Sequence, residues 1–424
     1  MRKLINSGTE WLGMIPEEWS IERTKYHFYN EKTIVGMYVD EYERLALTMK
    51  GVIKRSKEDA NGLQPEKFDS YQILRKNELV FKLIDLQNVT TSRVGLSPYD
   101  GLVSPAYIVL KAKGDVLPEF AEQYFLFLWK NEIFNYLGNA GVRSSLNASD
   151  LLNVPIVIPS IDEQIKIVKF LRKKCSEIDI LINDISEQID NIQKYKESLI
   201  SEAVTKGIDK NAVLISGQLE WVEQIPEHWK TIPAKYLFYN SDKRKIDGDE
   251  QLTASQKYGI ITQQEYMERE NSQIVLATQG LDKWKHVEPN DFVISLRSFQ
   301  GGLEMSETTG CITWHYVVLK AKKKIYPRFY KWLFKSSQYI NALQGTCNFI
   351  RDGQDLRFSN FAQVPLFEPP YDEQVAIANY LDKRCSEIDS LLMNMNEQVE
   401  LLDKYRSALI FEYATGKKEV TSNA

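Results

Sequence analysis

The chain contains itself twice. Trp11, Pro16 and Trp19 recur as Trp221, Pro226 and Trp229, an offset of 210. Val154-Pro155 returns as Val364-Pro365, Cys175-Ser176-Glu177-Ile178-Asp179 as Cys385-Ser386-Glu387-Ile388-Asp389, and Tyr195 as Tyr405, at that same offset of 210. Aligned without gaps, residues 154–205 and 364–415 are identical at 23 of 52 positions. One structural unit is therefore built twice. Between these locked edges the register drifts. Gly51 answers to Gly259 at offset 208, Asn77-Glu78-Leu79-Val80 to Asn290-Asp291-Phe292-Val293 at 213, and Lys111-Ala112-Lys113 to Lys320-Ala321-Lys322 at 209. Loops on a retained scaffold tolerate such insertions and deletions, and loops are where binding groups usually stand; plain drift after duplication leaves the same trace.

The locked part reads as two long helices. After Pro155 and Pro159, Ser160-Ile161-Asp162-Glu163 has the capping-box pattern, with Ser160 capping and Glu163 reaching back. No proline or glycine follows until about residue 205. Ile178, Ile185, Ile192 and Leu199 recur every seven residues, with Ile182 and Ile189 between them; Ile388, Met395, Leu402 and Leu409, with Leu392 and Val399, repeat the device. A sustained seven-residue apolar repeat predicts a coiled-coil seam. Forty residues of helix span about 60 Å at 1.5 Å per residue. Neither stripe is buried alone, so the spacing predicts that the two helices pair antiparallel about a pseudo-two-fold axis. Lys196 and Arg406 interrupt the seam at equivalent places, to set register or to reach outward. The alternative is that each helix covers its own domain.

The remaining sequence reads as mixed α and β, an α+β chain in all. Strands are predicted at 44–49, 78–84 and 103–112, with a helix from Pro118 to about Leu137; the second copy has strands at 252–255, 291–296 and 312–321 and a helix from Pro327. Between the second and third strands lie the loops Asp85-Leu86-Gln87-Asn88-Val89-Thr90-Thr91-Ser92-Arg93 and Arg297-Ser298-Phe299-Gln300-Gly301-Gly302. Gln87, Asn88, Thr91, Arg93, Arg297, Ser298 and Gln300 carry groups that pair with base edges, arginine with guanine and amides with adenine. Lys50, Lys54, Arg55 and Lys57 follow the first strand, and Lys257 with Tyr258 holds the matching place. Arg143-Ser144 and Arg351 stand before the two helices, where an arginine anchors a phosphate or makes a fold-stabilising pair.

Several kinds of chemistry are missing. Glu368-Pro369-Pro370-Tyr371 is similar to the Asn/Asp-Pro-Pro-Tyr motif of amino-methyltransferases, but it opens with Glu, and no glycine-rich strand–turn–helix accompanies it. Prolines precede the helix in both copies, which explains the string as a helix start. No Walker loop, HExxH motif or metal-like Cys/His spacing is found, so no catalytic residue, metal or cofactor is expected. The four cysteines read as reduced packing residues. With 53 basic and 58 acidic residues the formal charge is -5, which disfavours a general polyanion coat but leaves room for a basic face. No apolar run is long enough for a membrane span and no signal-peptide core opens the chain, so a cytoplasmic protein is expected.

Taken together, Val-Pro-x-x-x-Pro-x-x-Asp-Glu-Gln (154–164 and 364–374), the helix ends at 194–202 and 404–412, the Thr205-Lys206-Gly207 and Thr415-Gly416 closes and the Trp-x-x-x-Ile-Pro-x-x-Trp openings resemble the specificity subunits of type I restriction-modification systems. The resemblance implies two target recognition domains at 1–155 and 209–365, alternating with conserved helical spacers at 156–208 and 366–424. It implies a non-catalytic reader of double-stranded DNA, each domain binding half of a gapped site. It also implies helices that dock modification (methyltransferase) subunits, two of them, and ATP-driven restriction subunits that join the complex. Base-contacting residues do not carry over, because those loops are the family's variable part. A coiled-coil scaffold whose end domains bind proteins is the alternative.

Replacing both Ile185 and Met395 with Asp places charge in the predicted seam, where burial is costly. The double variant is expected to melt at lower temperature and to lose helical signal by circular dichroism. An unchanged melting curve would remove the paired-helix expectation.

Overall fold

A computed structural model describes residues 2–59, 67–86, 92–137, 145–274, 277–296, 298–346 and 356–421. The chain divides into two compact units. Unit 1 comprises residues 1–186 and 397–424, and unit 2 comprises residues 187–396. The chain crosses between units twice, each time within a long helix, so each unit holds the beginning of one long helix and the end of the other.

Unit 1 contains strands β1 (Phe28–Asn30), β2 (Arg44–Thr48), β3 (Gly51–Arg55), β4 (Gln72–Leu74), β5 (Leu79–Phe81), β6 (Val94–Leu96), β7 (Gly101–Val103) and β8 (Ile108–Ala112). They form two four-stranded sheets, ordered β3-β2-β7-β4 and β1-β8-β5-β6. Helix α1 (Pro118–Lys130) packs its aromatic face into the core. The long helix α2 (Ile161–Lys206) then begins. Unit 2 repeats the plan with β9 (Phe238–Ser241), β10 (Leu252–Ser255), β11 (Gly259–Thr262), β12 (Lys285–Val287), β13 (Phe292–Ile294), β14 (Glu304–Met305), β15 (Gly310–Ile312) and β16 (Val317–Ala321). One sheet runs β9-β16-β13-β14. In the other, the hairpin β10–β11 meets the pair β12–β15 through a parallel bridge from Gln251 to Cys311. A helix absent from unit 1's described residues, α3 (Gln263–Glu270), follows β11. Helix α4 (Pro327–Lys335) is the counterpart of α1, and the second long helix is α5 (Tyr371–Ala414).

The predicted strands at 103–112 and 312–321 are each two strands in different sheets. Turns closed by Tyr107 N–H to Ser104 C=O (3.0 Å) and Tyr316 N–H to Thr313 C=O (3.1 Å) divide them. The first predicted helix also stops early, at Lys130, because Glu132 takes a left-handed φ of 59° before a second short helix. Gly101 and Gly310 stand where a strand passes parallel to its neighbour. A Cβ there would lie 2.7 Å from the Glu43 carbonyl and 2.6 Å from the Glu250 carbonyl respectively. Only glycine admits that approach.

The Asp-Glu-Gln motif acquires a physical meaning. Gln164 is fully buried; its carbonyl accepts from Leu117 N–H (2.8 Å) and its amide donates to Pro159 C=O (3.1 Å). Gln374 does the same with Tyr326 N–H (2.8 Å) and Pro369 C=O (2.9 Å). Each glutamine therefore ties the first turn of a long helix to the N-terminus of the shorter helix packed against it. Tyr124 and Tyr330 add matching bonds to Pro155 C=O (2.7 Å) and Phe367 C=O (2.9 Å). The capping box is only half made. Ser160 Oγ accepts from Glu163 N–H at 3.4 Å, but the Glu163 carboxylate turns to Arg2 and to Trp19 Nε1 (2.9 Å). Charge-assisted bonds to the opening motif outcompete the backbone.

Each unit is closed by the end of the long helix that begins in the other. In unit 1, Leu409, Ile410 and Ala414 join the core with Ile167, Leu171 and Ile178, and the Phe170 and Tyr413 rings lie 4.4 Å apart. In unit 2, Ile200, Ala203 and Val204 join Ile377, Ala378, Leu381 and Cys385. Within each unit the helix segments run antiparallel: Asp179 bonds Arg406 (2.5 Å) in unit 1 and Lys196 bonds Asp389 (2.5 Å) in unit 2. The residues that interrupt the seam thus meet the aspartates of the repeated Cys-Ser-Glu-Ile-Asp string. Such half-exposed pairs contribute about 0–1 kcal/mol each and serve register more than stability.

Replacing Gln164 with Ala leaves a buried N–H and C=O unpaired, at about 1–3 kcal/mol for each group. Urea denaturation of Gln164→Ala and Gln374→Ala should show comparable losses; a midpoint unchanged by either would refute the clamp.

Candidate nucleic-acid interface

Two hairpins stand at equivalent places in the two units. β2 and β3 meet at a tip where Thr48 pairs with Gly51, and β10 and β11 at a tip where Ser255 pairs with Gly259. Gly51 (φ 89°) and Gly259 (φ 73°) supply the left-handed residue each tip requires. Lys50 and Lys257, which hold matching places after the first strand in sequence, occupy these tips, both exposed. Lys54 lies on β3, bonded to Glu43 (2.5 Å) with its ammonium 5.2 Å above the Tyr99 ring, and Glu43 raises its pKa. Arg55 is half-buried against Asp59 (2.7 Å).

At the second tip the arrangement is more elaborate. The Tyr258 ring has the Lys257 ammonium 4.7 Å away and the Arg269 guanidinium 4.9 Å away. Tyr258 donates to Glu270 (2.7 Å), which also receives Lys257 (3.0 Å). Arg269 is a residue the sequence reading missed. Only the short helix α3 carries it back over the hairpin. The hairpin forms one wall of a cleft of about 580 Å³ lined also by Gln256, Arg269, Glu304 and Lys331. Glu304 is buried, which pushes its carboxyl pKa up against the opposing effect of Lys335. In unit 1 the pairing partner of Val80 is Gly95, where unit 2 pairs Val293 with Glu304.

Two of the candidate residues are placed inside the fold. Arg93 is wholly buried and donates to the Asp85 carbonyl, so it braces its own loop. Ser298 is also wholly buried, its Oγ accepting from Ser295 N–H (2.9 Å) inside the turn that opens a short helix. A polar side chain in a loop reads as a ligand contact in sequence, although it often satisfies local backbone instead. Gln300 is exposed on that short helix. Gln87, Asn88, Thr91, Arg143, Ser144, Arg297 and Arg351 lie outside the described residues.

A charged network underlies the unit 2 sheet edge. Glu288 receives Lys320 (2.6 Å), Lys243 (3.2 Å) and His286 (3.0 Å), and these bonds hold its pKa down to about 2. The buried His286 is bonded on its other side to Asp249 (2.8 Å). Burial raises the thiol pKa of Cys175 and Cys311 to about 11, in keeping with packing roles. Among the described residues no cluster of His, Cys, Asp and Glu is suited to hold a metal ion, and no helix is long and apolar enough to cross a membrane.

Residues 21–191 match the model of the type I restriction modification DNA specificity domain. The provisionally assigned type I restriction enzyme MjaX specificity subunit of Methanocaldococcus jannaschii is 24% identical over 315 residues, 70% of this chain and 68% of that protein. The MjaVIII specificity subunit of the same organism is 24% identical over 135 residues, 32% of this chain and 30% of that protein. A chain solved in work on complex assembly and conformational transition of the type I R-M system is similar in fold: TM-score 0.66 at 14% identity, covering 95% of this chain and 99% of that one. The match to the family model thus lies in the first half of the chain, and the likeness of fold extends over nearly all of it. The chain is similar in sequence to type I restriction-modification specificity subunits, over residues 21–191 to the family model and over 70% of its length to the first of these relatives.

The depressed pKa of Glu288 has a definite sign. A carboxylate held at about 2 contributes stability above the unfolded value of about 4.3, and loses it as pH falls from there towards 2. Glu288→Gln should therefore flatten the fall in melting temperature between about pH 5 and pH 2; scanning calorimetry at stepped pH checks this, and an unaltered slope would discard the network as a stabilising device.

Proposed function

We propose that the chain is the non-catalytic DNA sequence-specificity subunit of a type I restriction-modification complex. Each unit reads one half of a bipartite, gapped DNA site. The two long helices, paired as an antiparallel coiled coil, set the gap. They also dock two modification subunits, which supply methylation, and restriction subunits complete the assembly in the cytoplasm. The observation that carries this reading is the doubled two-sheet unit, with an exposed lysine at the tip of the same hairpin in each copy, in a chain similar to type I specificity subunits.

The physics favours such a division of labour. A reader joined to a second reader binds it at high effective concentration, so two modest interfaces give useful affinity. A stiff connection makes the distance between half-sites a geometric constant, as dimer spacing does for other duplex readers. Exposed cations at loop tips contribute the phosphate term, which is sequence-independent and salt-sensitive. A net charge of -5 is compatible with this when cations gather on one surface and partner subunits add their own.

The reading is tested by reconstituting the chain with its modification subunits and mapping methylated adenines by single-molecule sequencing. A two-part motif with a constant gap is expected, and a continuous motif, or none, would sink the proposal. On the mapped site, Lys50→Ala and Lys257→Ala should each reduce the slope of log affinity against log salt by about 1 in anisotropy titrations. Slopes equal to wild type would remove the hairpin tips from the interface.

A further inference from the structure

The turn between β15 and β16 carries an unusual pair of rings. Trp314 is 50% exposed, and the His315 ring stacks on it with centroids 3.5 Å apart and planes inclined by 29°. The turn is closed by the bond from Tyr316 N–H to Thr313 C=O (3.1 Å). Unit 1 makes the same turn with the same bond, from Tyr107 to Ser104 (3.0 Å), but Pro105 and Ala106 stand where the rings would be. The rings are therefore dispensable to the turn. Nothing in the folding of this unit asks for a tryptophan in water.

The surroundings indicate what the rings meet. Strand register sets the neighbours of the turn. Ile312 pairs with Lys285, and Lys285 is bridged in turn to Arg244; on the other sheet, Val317 pairs with Ile294 and Val318 with Ser241. The turn thus lies at the sheet end shared by Arg244, Lys283 and the exposed Leu296. Lys243 and Lys285 are neutralised there by Glu288 (3.2 Å) and Asp242 (3.1 Å). Arg244 instead donates to the Lys283 carbonyl (2.6 Å), and among the described residues neither Arg244 nor Lys283 forms an ion pair with a carboxylate. An aromatic face bordered by unneutralised cations fits a polyanion whose own interior is a stack of flat rings. Protein interfaces also gather tryptophan and arginine, so the choice of a nucleic acid rests on the reading of the chain as a DNA specificity subunit.

Building on the reading of the chain as a DNA specificity subunit, we propose that Trp314, backed by His315, is a specificity-determining wedge. It contacts the bases of a double-stranded DNA half-site at one step, and Arg244 and Lys283 anchor the flanking phosphates. Apolar wedges at base steps partly unstack them, and the cost depends on which step is opened, so the contact selects sequence without a hydrogen bond to any base. Unit 1 has no such ring pair in its turn, which makes the device a property of one half-site only.

The test uses the full chain assembled with its modification subunits and the duplex identified by methylation mapping. The variant Trp314→Pro with His315→Ala installs the residues unit 1 carries in the same turn, and thermal melting verifies that it is folded. 2-Aminopurine is placed in turn at each position of both half-sites. Wild type should brighten the probe at one step of one half-site. The variant should lose that signal and bind about ten-fold more weakly, as removal of a base–aromatic contact does. Arg244→Ala should keep the signal but lower the salt slope by about 1. Unchanged affinity and probe signal in the turn variant would overturn the wedge while leaving the wider reading intact. Impaired assembly with modification subunits in the absence of DNA would overturn it in favour of a protein-binding surface. A wild-type complex with no preference among duplexes would overturn both.

Discussion

Core completion by an exchanged helix end is the constraint on which the rest depends. Unit 1 takes Leu409, Ile410 and Ala414 from the end of α5, and unit 2 takes Ile200, Ala203 and Val204 from the end of α2. These residues are buried in the aromatic cores and are not surface ornament. A fully buried leucine or isoleucine contributes about 1.5–3 kcal/mol through removal from water, so a unit deprived of its borrowed segment loses a large share of a marginal stability. The glutamine clamps act on the same elements from the other side. They seat the first turn of each long helix on the domain in which it starts, leaving the far end free to serve the other.

This arrangement explains why the two edges of the repeat hold at a constant offset while the middle drifts. Pro16 and Trp19 meet Gly416, whose Cβ would come within 2.5 Å of Pro16, and Pro226 and Trp229 border Gly207 more loosely, at 3.9 and 3.4 Å from such a Cβ. A change at any of these points must be absorbed by a packed helix end. The hairpins and turns have no such restriction. Gly95 in one unit and Glu304 in the other occupy matching strand positions, and the consequence is local: a cleft with a buried carboxylate in unit 2.

Much of this was legible beforehand, for identifiable reasons. The two long helices follow from a seven-residue pattern sustained over many turns, whereas the aspartate partners of Lys196 and Arg406 appear only in the structure. The matching places of Lys50 and Lys257 after the first strand were legible, but the hairpins that carry them were not. What failed was local. Single strands were expected across the turns at 104–107 and 313–316, although Ser104-Pro105 marks the first turn; apolar residues on either side obscured the break. Arg93 and Ser298 read as ligand groups, although the backbone of their own loops claimed them first. Arg269 and the Trp314–His315 pair depend on how distant segments meet, and a loop sequence carries no record of that.

The discontinuous make-up of unit 1 bears on biosynthesis. Unit 2 is one unbroken stretch, 187–396, and can complete its core as soon as that stretch leaves the ribosome. Unit 1, although it is translated first, waits for residues 397–424, and Lys417 finally bonds the carbonyls of Leu12 (2.5 Å) and Met14 (2.6 Å). The domain made earliest is thus sealed last, and a nascent chain halted shortly before its final helix turns would carry an open N-terminal domain beside a finished one.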